Sequence, residues 1–224
     1  LVVPAPLGAT PQAPRKTRLT AGVWIRSPFF CPGVAMSTAI PLLQSLSQYA
    51  SSKGHECLFL TLTCPNGFHR FVRRGHAVNP AYTGATPKQA QRWLLDAWAR
   101  VRTQLQHMKV SVYGLRLIEP HLDGCPHWHV VVWVQDKSSA ERAKAHIQHA
   151  WQRLTSSKRC CWIRSVSGEV VLGYVRKFVT KAISLPHLAW RSTWGFKTYQ
   201  VIGNFPQQST WQEVRAALSN KPAA

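Results

Sequence analysis

The chain has 224 residues, with 28 Lys and Arg against 8 Asp and Glu for a formal charge of +20, and 45% of its residues are hydrophobic. That length suits one domain with a sizeable core, and a core under so much positive charge points to a polyanionic partner, nucleic acid first. The basic residues are spread over loops and several segments, which argues against an interfacial membrane anchor, and no apolar run approaches the roughly 20 residues of a spanning helix.

The six cysteines, at 31, 57, 64, 125, 160 and 161, form no CxxC pair, which suits a reducing cytoplasm better than a disulfide or zinc framework. Leu1 to Pro14 carries prolines at 4, 6, 11 and 14 without a charged n-region, so it reads as a linker rather than a signal peptide. The first residue is not Met, as expected of an excised domain. The expected organisation is an irregular, Pro-rich 1–36, one domain over 37–218 and a tail over 219–224.

Ile40, Leu43, Leu46 and Tyr49 predict a helix over 37–52, stopped by Gly54. Cys57 to Thr63 reads as a strand, ended by Pro65-Asn66-Gly67. Residues 64–86 then read as a long loop. It mixes His69, Arg70, Arg73, Arg74 and His76 with Phe68, Phe71 and Tyr82, a combination that suits phosphates and stacked bases and also suits a solvated basic loop. Thr86-Pro87 is a helix start, and apolar residues from Ala90 to Met108 recur every three or four positions.

Strands are expected over 110–119 and 127–135, joined by the Asp123-Gly124 turn signal. A helix should open at Ser138 or Ser139 and bury Ala140, Ala143, Ile147, Trp151 and Leu154, leaving His146 and His149 at its margin. Cys160 to Val166 is a further strand. The order strand, helix, strand, strand, helix, strand is the α+β, ferredoxin-like order, with an antiparallel sheet whose first and third strands are central and whose crossover helices cover one face.

The segment from Glu119 to His129 contains two of the acidic residues and three of the histidines. Side chains at i and i+2 of a strand share a face, so His127 and His129 are a pair, and a hairpin brings Glu119 beside them. Two imidazoles and a carboxylate make a credible divalent-metal site, with His121 and Asp123 as alternative third ligands, although two ordinary strand histidines read about as well. On the next helix, 169–183, Tyr174, Lys177, Phe178 and Lys181 share a face that could close over the histidines. A nucleophilic tyrosine is one reading of that face; a packed tyrosine with snorkelling lysines is the other. The remainder predicts a short strand over 196–202 and a final helix, capped by Ser209 with Gln212 or Thr210 with Glu213.

His127-Trp128-His129 resembles the His-hydrophobic-His signature of HUH endonucleases, and Tyr174-Val-Arg-Lys177 resembles their nucleophile helix. The ordered blocks LFLTLTCP (58–65), NPAYTGATPKQAQ (79–91), EPHLDGCPHWH (119–129), GYVRKFVTKAI (173–183) and WRSTWGFKTYQVIG (190–203) look like the bacteriophage replication gene A proteins, the rolling-circle initiators of tailed phages and related prophages and plasmids. The resemblance implies an HUH palm with the tyrosine helix on the face opposite the crossover helices. It implies Mg2+ or Mn2+ on His127, His129 and a third ligand best matched by Glu119. It also implies attack by Tyr174 on single-stranded DNA at a replication origin, leaving a 5′-phosphotyrosine and a free 3′-OH.

Lys177, and less directly Lys181, would then favour phenolate or hold the phosphate, while Arg70, Arg73, Arg74 and Arg176 would contact DNA. The setting would be the cytoplasm of a bacterial host, with a host helicase and polymerase as partners because the chain has no P-loop. Many gene A proteins carry Y-x-x-x-Y, whereas the second position here is Phe178, so a single adduct at Tyr174 is expected. The rivals are a single-tyrosine transposase or mobilisation relaxase, and a non-catalytic nucleic-acid-binding domain.

Overall fold

In β5 (Pro126–Val134), alternate residues send Trp128, Val130, Val132 and Val134 to one side of the sheet and His127, His129, Val131 and Trp133 to the other. All but His127 are buried, so this strand has helices on both sides. The computed structural model describes residues 32–72, 77–182 and 184–203. Its elements in chain order are α1 (Pro32–Ser52), β1 (Glu56–Thr63), β2 (Phe71–Val72), β3 (Ala77–Val78), α2 (Pro87–His107), β4 (Val112–Pro120), β5, α3 (Lys137–Thr155), β6 (Cys161–Val166), α4 (Gly168–Ala182), α5 (Leu185–Trp194) and β7 (Tyr199–Ile202).

The sheet runs β6-β1-β5-β4-β7, with every pair antiparallel. This is the expected α+β, ferredoxin-like order with β1 and β5 inside, plus β7, which pairs with β4 and makes that strand interior as well. On one face Leu58, Leu60, Leu62, Trp128, Val130 and Val132 pack against Leu94, Trp98 and Leu105 of α2 and Ile147 and Trp151 of α3. On the other face Phe59, Leu115, Leu117, Val131 and Trp133 pack against Leu42, Leu43 and Leu46 of α1 and Val171 and Val175 of α4. The expectation that α4 alone closes the histidine face therefore needs correction: α1 shares the work and packs on α4 as well. Among the described residues no helix is long and apolar enough to cross a membrane.

Local chemistry explains most element boundaries. Thr86 Oγ1 accepts a hydrogen bond from the Gln89 amide at 3.3 Å and Gln89 Oε1 accepts one from the Thr86 amide at 2.8 Å, a reciprocal cap that starts α2. The start of α3 is set by Asp136, not by Ser138 or Ser139: its Oδ1 accepts from the Ser139 amide at 2.8 Å, and Ser139 lies buried in the first turn. Helix α1 opens at Pro32 rather than near Ser37.

The segment read as a long loop has its own order, with a 3-10 turn at Asn66–Phe68 and the β2–β3 ribbon. Buried Asn79 ties it together, donating from Nδ2 to the carbonyls of His69 at 2.7 Å and Asn66 at 2.8 Å. Helix α5 was not anticipated. Its signals are present, Pro186 in the first turn and Gly195 in the left-handed conformation just past its end, but at 10 residues it lies between motifs that carry the eye past it. The Pro-rich start, Arg73, Arg74, His76 and the predicted final helix lie outside the described residues.

Candidate metal centre

A three-residue hairpin loop builds the centre. The Gly124 amide donates to the His121 carbonyl at 2.9 Å, Gly124 adopts φ +81°, and the His121 amide donates to the Cys125 carbonyl at 2.8 Å. Only a residue tolerant of the left-handed region closes a loop of this length without strain, and Asp123 stiffens it by accepting the Cys125 amide on Oδ1 at 3.0 Å. The turn fixes the register so that Glu119 lies opposite His127 and Leu117 opposite His129. Directly opposed residues share a face, so the carboxylate and both imidazoles meet on the α1/α4 side.

Their ligand atoms all lie within 4.8 Å of one another. His127 Nε2 and His129 Nε2 are 3.0 Å apart, and Glu119 Oε2 is 3.8 Å from the first and 3.6 Å from the second. Glu119 is only 2% exposed. Burial pushes its carboxyl up, but the hydrogen bonds and positive charge of His129 and Lys181 outweigh that and hold it below the usual range. Burial, then the charges of His121 and His129, push His127 well below its ordinary value, so it is a neutral imidazole with a lone pair to give. Glu119 Oε1 and His127 Nδ1 are buried without hydrogen-bond partners among the described residues. A buried anion, neutral imidazole nitrogens and an unsatisfied carboxylate oxygen fit a divalent cation, and Mg2+ or Mn2+ is compatible with the donors.

The surrounding layer was not legible beforehand. Thr61, opposite His129 on β1, places its hydroxyl 3.2 Å from His129 Nδ1, leaving Nε2 for the centre. His121 does not join the ligand set; its ring packs on His127 at 4.2 Å and on His69 at 4.9 Å, and burial followed by the charge of His69 drops its pKa to about 4. Asp123 also stays outside, pairing with His69 Nδ1 at 3.1 Å.

Helix α4 lies over this face. Phe178 stacks on His129 with centroids 3.8 Å apart, and Tyr174, one turn earlier, stacks on Phe59 at 5.2 Å. Phe59 is itself parallel to His129 at 5.9 Å, so Tyr174 reaches the centre's flank through one ring. Lys181 Nζ donates to Glu119 Oε2 at 3.1 Å, whereas Lys177 and Arg176 are exposed on the outer side of the helix. The lysine at the centre is thus Lys181, seven positions from Tyr174 on the buried face. Arg70 is exposed on the ordered loop, 5.4 Å from the Phe71 ring.

The bacteriophage replication gene A protein (GPA) family model matches residues 36–185. The chain belongs to this family. Its relatives include the probable replication protein P12 of Pseudoalteromonas phage PM2, 26% identical over 204 residues that cover 78% of this chain and 31% of that protein. The replication protein of Haemophilus phage HP1 is 27% identical over 218 residues, 85% of this chain and 27% of the relative. A probable replication endonuclease from a prophage-like region of Salmonella paratyphi A is 35% identical over 95 residues, 42% of this chain and 12% of its own length. The chain spans about a third or less of the full-length relatives it matches. No solved structure matches it. The matched part of this gene A family chain runs from α1 through the start of α5 and takes in the hairpin, Tyr174 and Lys181.

Proposed function

We propose that this chain is the nicking and joining domain of a phage-type replication initiator, an HUH endonuclease that cuts single-stranded DNA at an origin to start rolling-circle replication. The observation that carries the reading is the convergence of Glu119, His127 and His129 under a helix that presents Tyr174 on the same face. Relatives named as replication proteins and as a probable replication endonuclease agree with it, and so does the +20 charge.

A bound Mg2+ or Mn2+ would supply Lewis-acid polarisation of one phosphate oxygen. The phenolate oxygen of Tyr174 bonds to the phosphorus, the P–O3′ bond breaks, and the proton lost from the phenol balances the one gained by the leaving 3′-oxygen. The products are a 5′-phosphotyrosine and a 3′-OH, and the reverse attack rejoins the strand. Lys181, once exchanged off Glu119, is the cation available to the scissile phosphate, and Lys177 and Arg176 face solvent where the flanking backbone would pass.

The strand's course has a second support. Thr61 pairs with His129 on one side and Trp162 on the other, so a single row across the sheet runs from the centre to the β6 edge. Two strand spacings put Trp162 about 10 Å from His129. Trp162 is 43% exposed with the Arg164 guanidinium 5.4 Å from its ring, a platform suited to an unpaired base. A host helicase and polymerase would then act at the opened strand.

Incubating the protein with Mn2+ and an end-labelled single-stranded origin oligonucleotide should give a covalent adduct that maps to Tyr174 and vanishes in Tyr174→Phe. An adduct of equal yield on Tyr174→Phe would sink the assignment. Because Phe178 has no hydroxyl, one adduct per chain is expected.

A further inference from the structure

The opposite face of the sheet contains an unexplained charge. Arg116 lies on β4 in the row that points toward α2, is 7% exposed, and has its guanidinium carbon 3.9 Å from the centre of the Trp128 ring. It has neither a hydrogen-bond acceptor nor an acidic partner for its guanidinium among the described residues. Burial, with the charge of Arg102 added, lowers its pKa to about 10, so it stays cationic at neutral pH. A buried, unpaired charge costs several kcal/mol, and a fold that keeps one has a use for an anion there.

The space in front of it fits that need. Arg116 opens into a cavity of about 740 Å³ between α2, β4 and β7, lined also by Arg92, Arg102, Trp98 and Gln200. Trp98 Nε1 is buried without a partner. The acid in the lining, Asp96, is already engaged by Arg92 at 3.2 Å, which leaves Arg102 and Arg116 to face the cavity uncompensated. The volume is far larger than a bare oxyanion and suits a nucleotide-sized group.

We infer that this cavity is a second nucleic-acid site, separate from the metal centre, which holds a backbone phosphate with its nucleotide through Arg116 and Arg102. The choice of DNA as the source rests on the proposed function; the anion chemistry does not. Arg116 stacked on Trp128 is preorganised and presents a planar fork suited to phosphate oxygens. The site lies on the sheet face away from the metal, so it would grip the strand outside the cleavage position.

The test uses the whole chain in EDTA, so that no metal at the first site takes part. Inorganic phosphate should raise the melting temperature above that in chloride of equal ionic strength, and Arg102→Gln and Arg116→Gln should lose that rise. Affinity for an oligothymidine strand should fall with salt, and the log–log slope for Arg102→Gln should be shallower by about 0.7, the loss of one single-strand phosphate contact. Arg102 is exposed, so its variant reads the site even if Arg116→Gln fails to fold. Phosphate protection with an unchanged DNA slope assigns the cavity to a free phosphate compound and overturns the DNA source. No protection and an unchanged slope overturn the site. A wild-type chain that shows both effects yet never nicks DNA keeps this inference and removes the proposed function.

Discussion

The two faces of the sheet are made by the same strands and behave as different materials. Trp128 points to the α2/α3 side, where it is fully buried among leucines and valines. Its neighbours His127 and His129 point to the α1/α4 side, where a carboxylate, a threonine hydroxyl and a lysine amine meet them. The first face is held by apolar area and close packing, which tolerate no missing volume. The second contains groups whose burial costs free energy, so its arrangement serves binding more than stability.

Substitutions at adjacent residues should separate these roles. The largest effect expected is from replacing His127 and His129 together by Ala, which should abolish Mn2+ binding by calorimetry and nicking with it, while the chain still melts cooperatively. Trp128→Ala should do the reverse: about 3–5 kcal/mol lost in denaturant melts, with metal binding retained by whatever fraction stays folded. Loss of Mn2+ binding by fully folded Trp128→Ala would blur the division.

The His69–Asp123 pair offers a smaller, pH-dependent contrast. Burial lowers the His69 pKa, but the hydrogen bonds to Asp123 and Cys125 more than reverse this and raise it to about 10; Asp123 is held below its usual value despite burial. A raised histidine contributes stability that is complete below its unfolded value of 6.5 and is lost as pH rises through about 10. The lowered carboxyl contributes above its unfolded value of 3.8 and loses this as pH falls. Asp123→Asn should therefore cost about 2 kcal/mol between those unfolded values and progressively less toward and above pH 10. A flat cost across that range in melts would show that the loop bond to Cys125, not the ion pair, is what matters.

The smallest effect expected is at the β6 edge. Trp162→Ala should weaken single-strand binding by about 1 kcal/mol, the low end for one stacked base, and Trp162→Phe should restore most of it. Unchanged affinity in Trp162→Ala, measured by anisotropy in EDTA, would remove the platform.

Much of this was legible in the residues. Period-2 alternation in 126–134, the Asp123-Gly124 turn and the Thr86-Pro87 start are local signals, because strand pleat, left-handed glycine and helix caps act over a few residues. The strand order followed from right-handed crossovers, and the family blocks are contiguous stretches. The pairing of His127 with Glu119 needed only a short hairpin.

What tertiary structure alone decided is what lies far apart in the chain and near in space. Thr61 reaches His129 across 68 positions and Lys181 reaches Glu119 across 62, and no local rule selects Lys181 over Lys177 on a helix where both flank Tyr174. That choice depends on the rotation at which α4 settles on β5 and α1, which packing against Phe59, Val131 and Trp133 sets. Arg116 likewise reads as one more cation in a basic chain until the fold places it over Trp128, facing a cavity with no acid to meet it. The local chemistry of each residue determined which groups could bind metal, phosphate or base; burial and long-range register determined which of them meet.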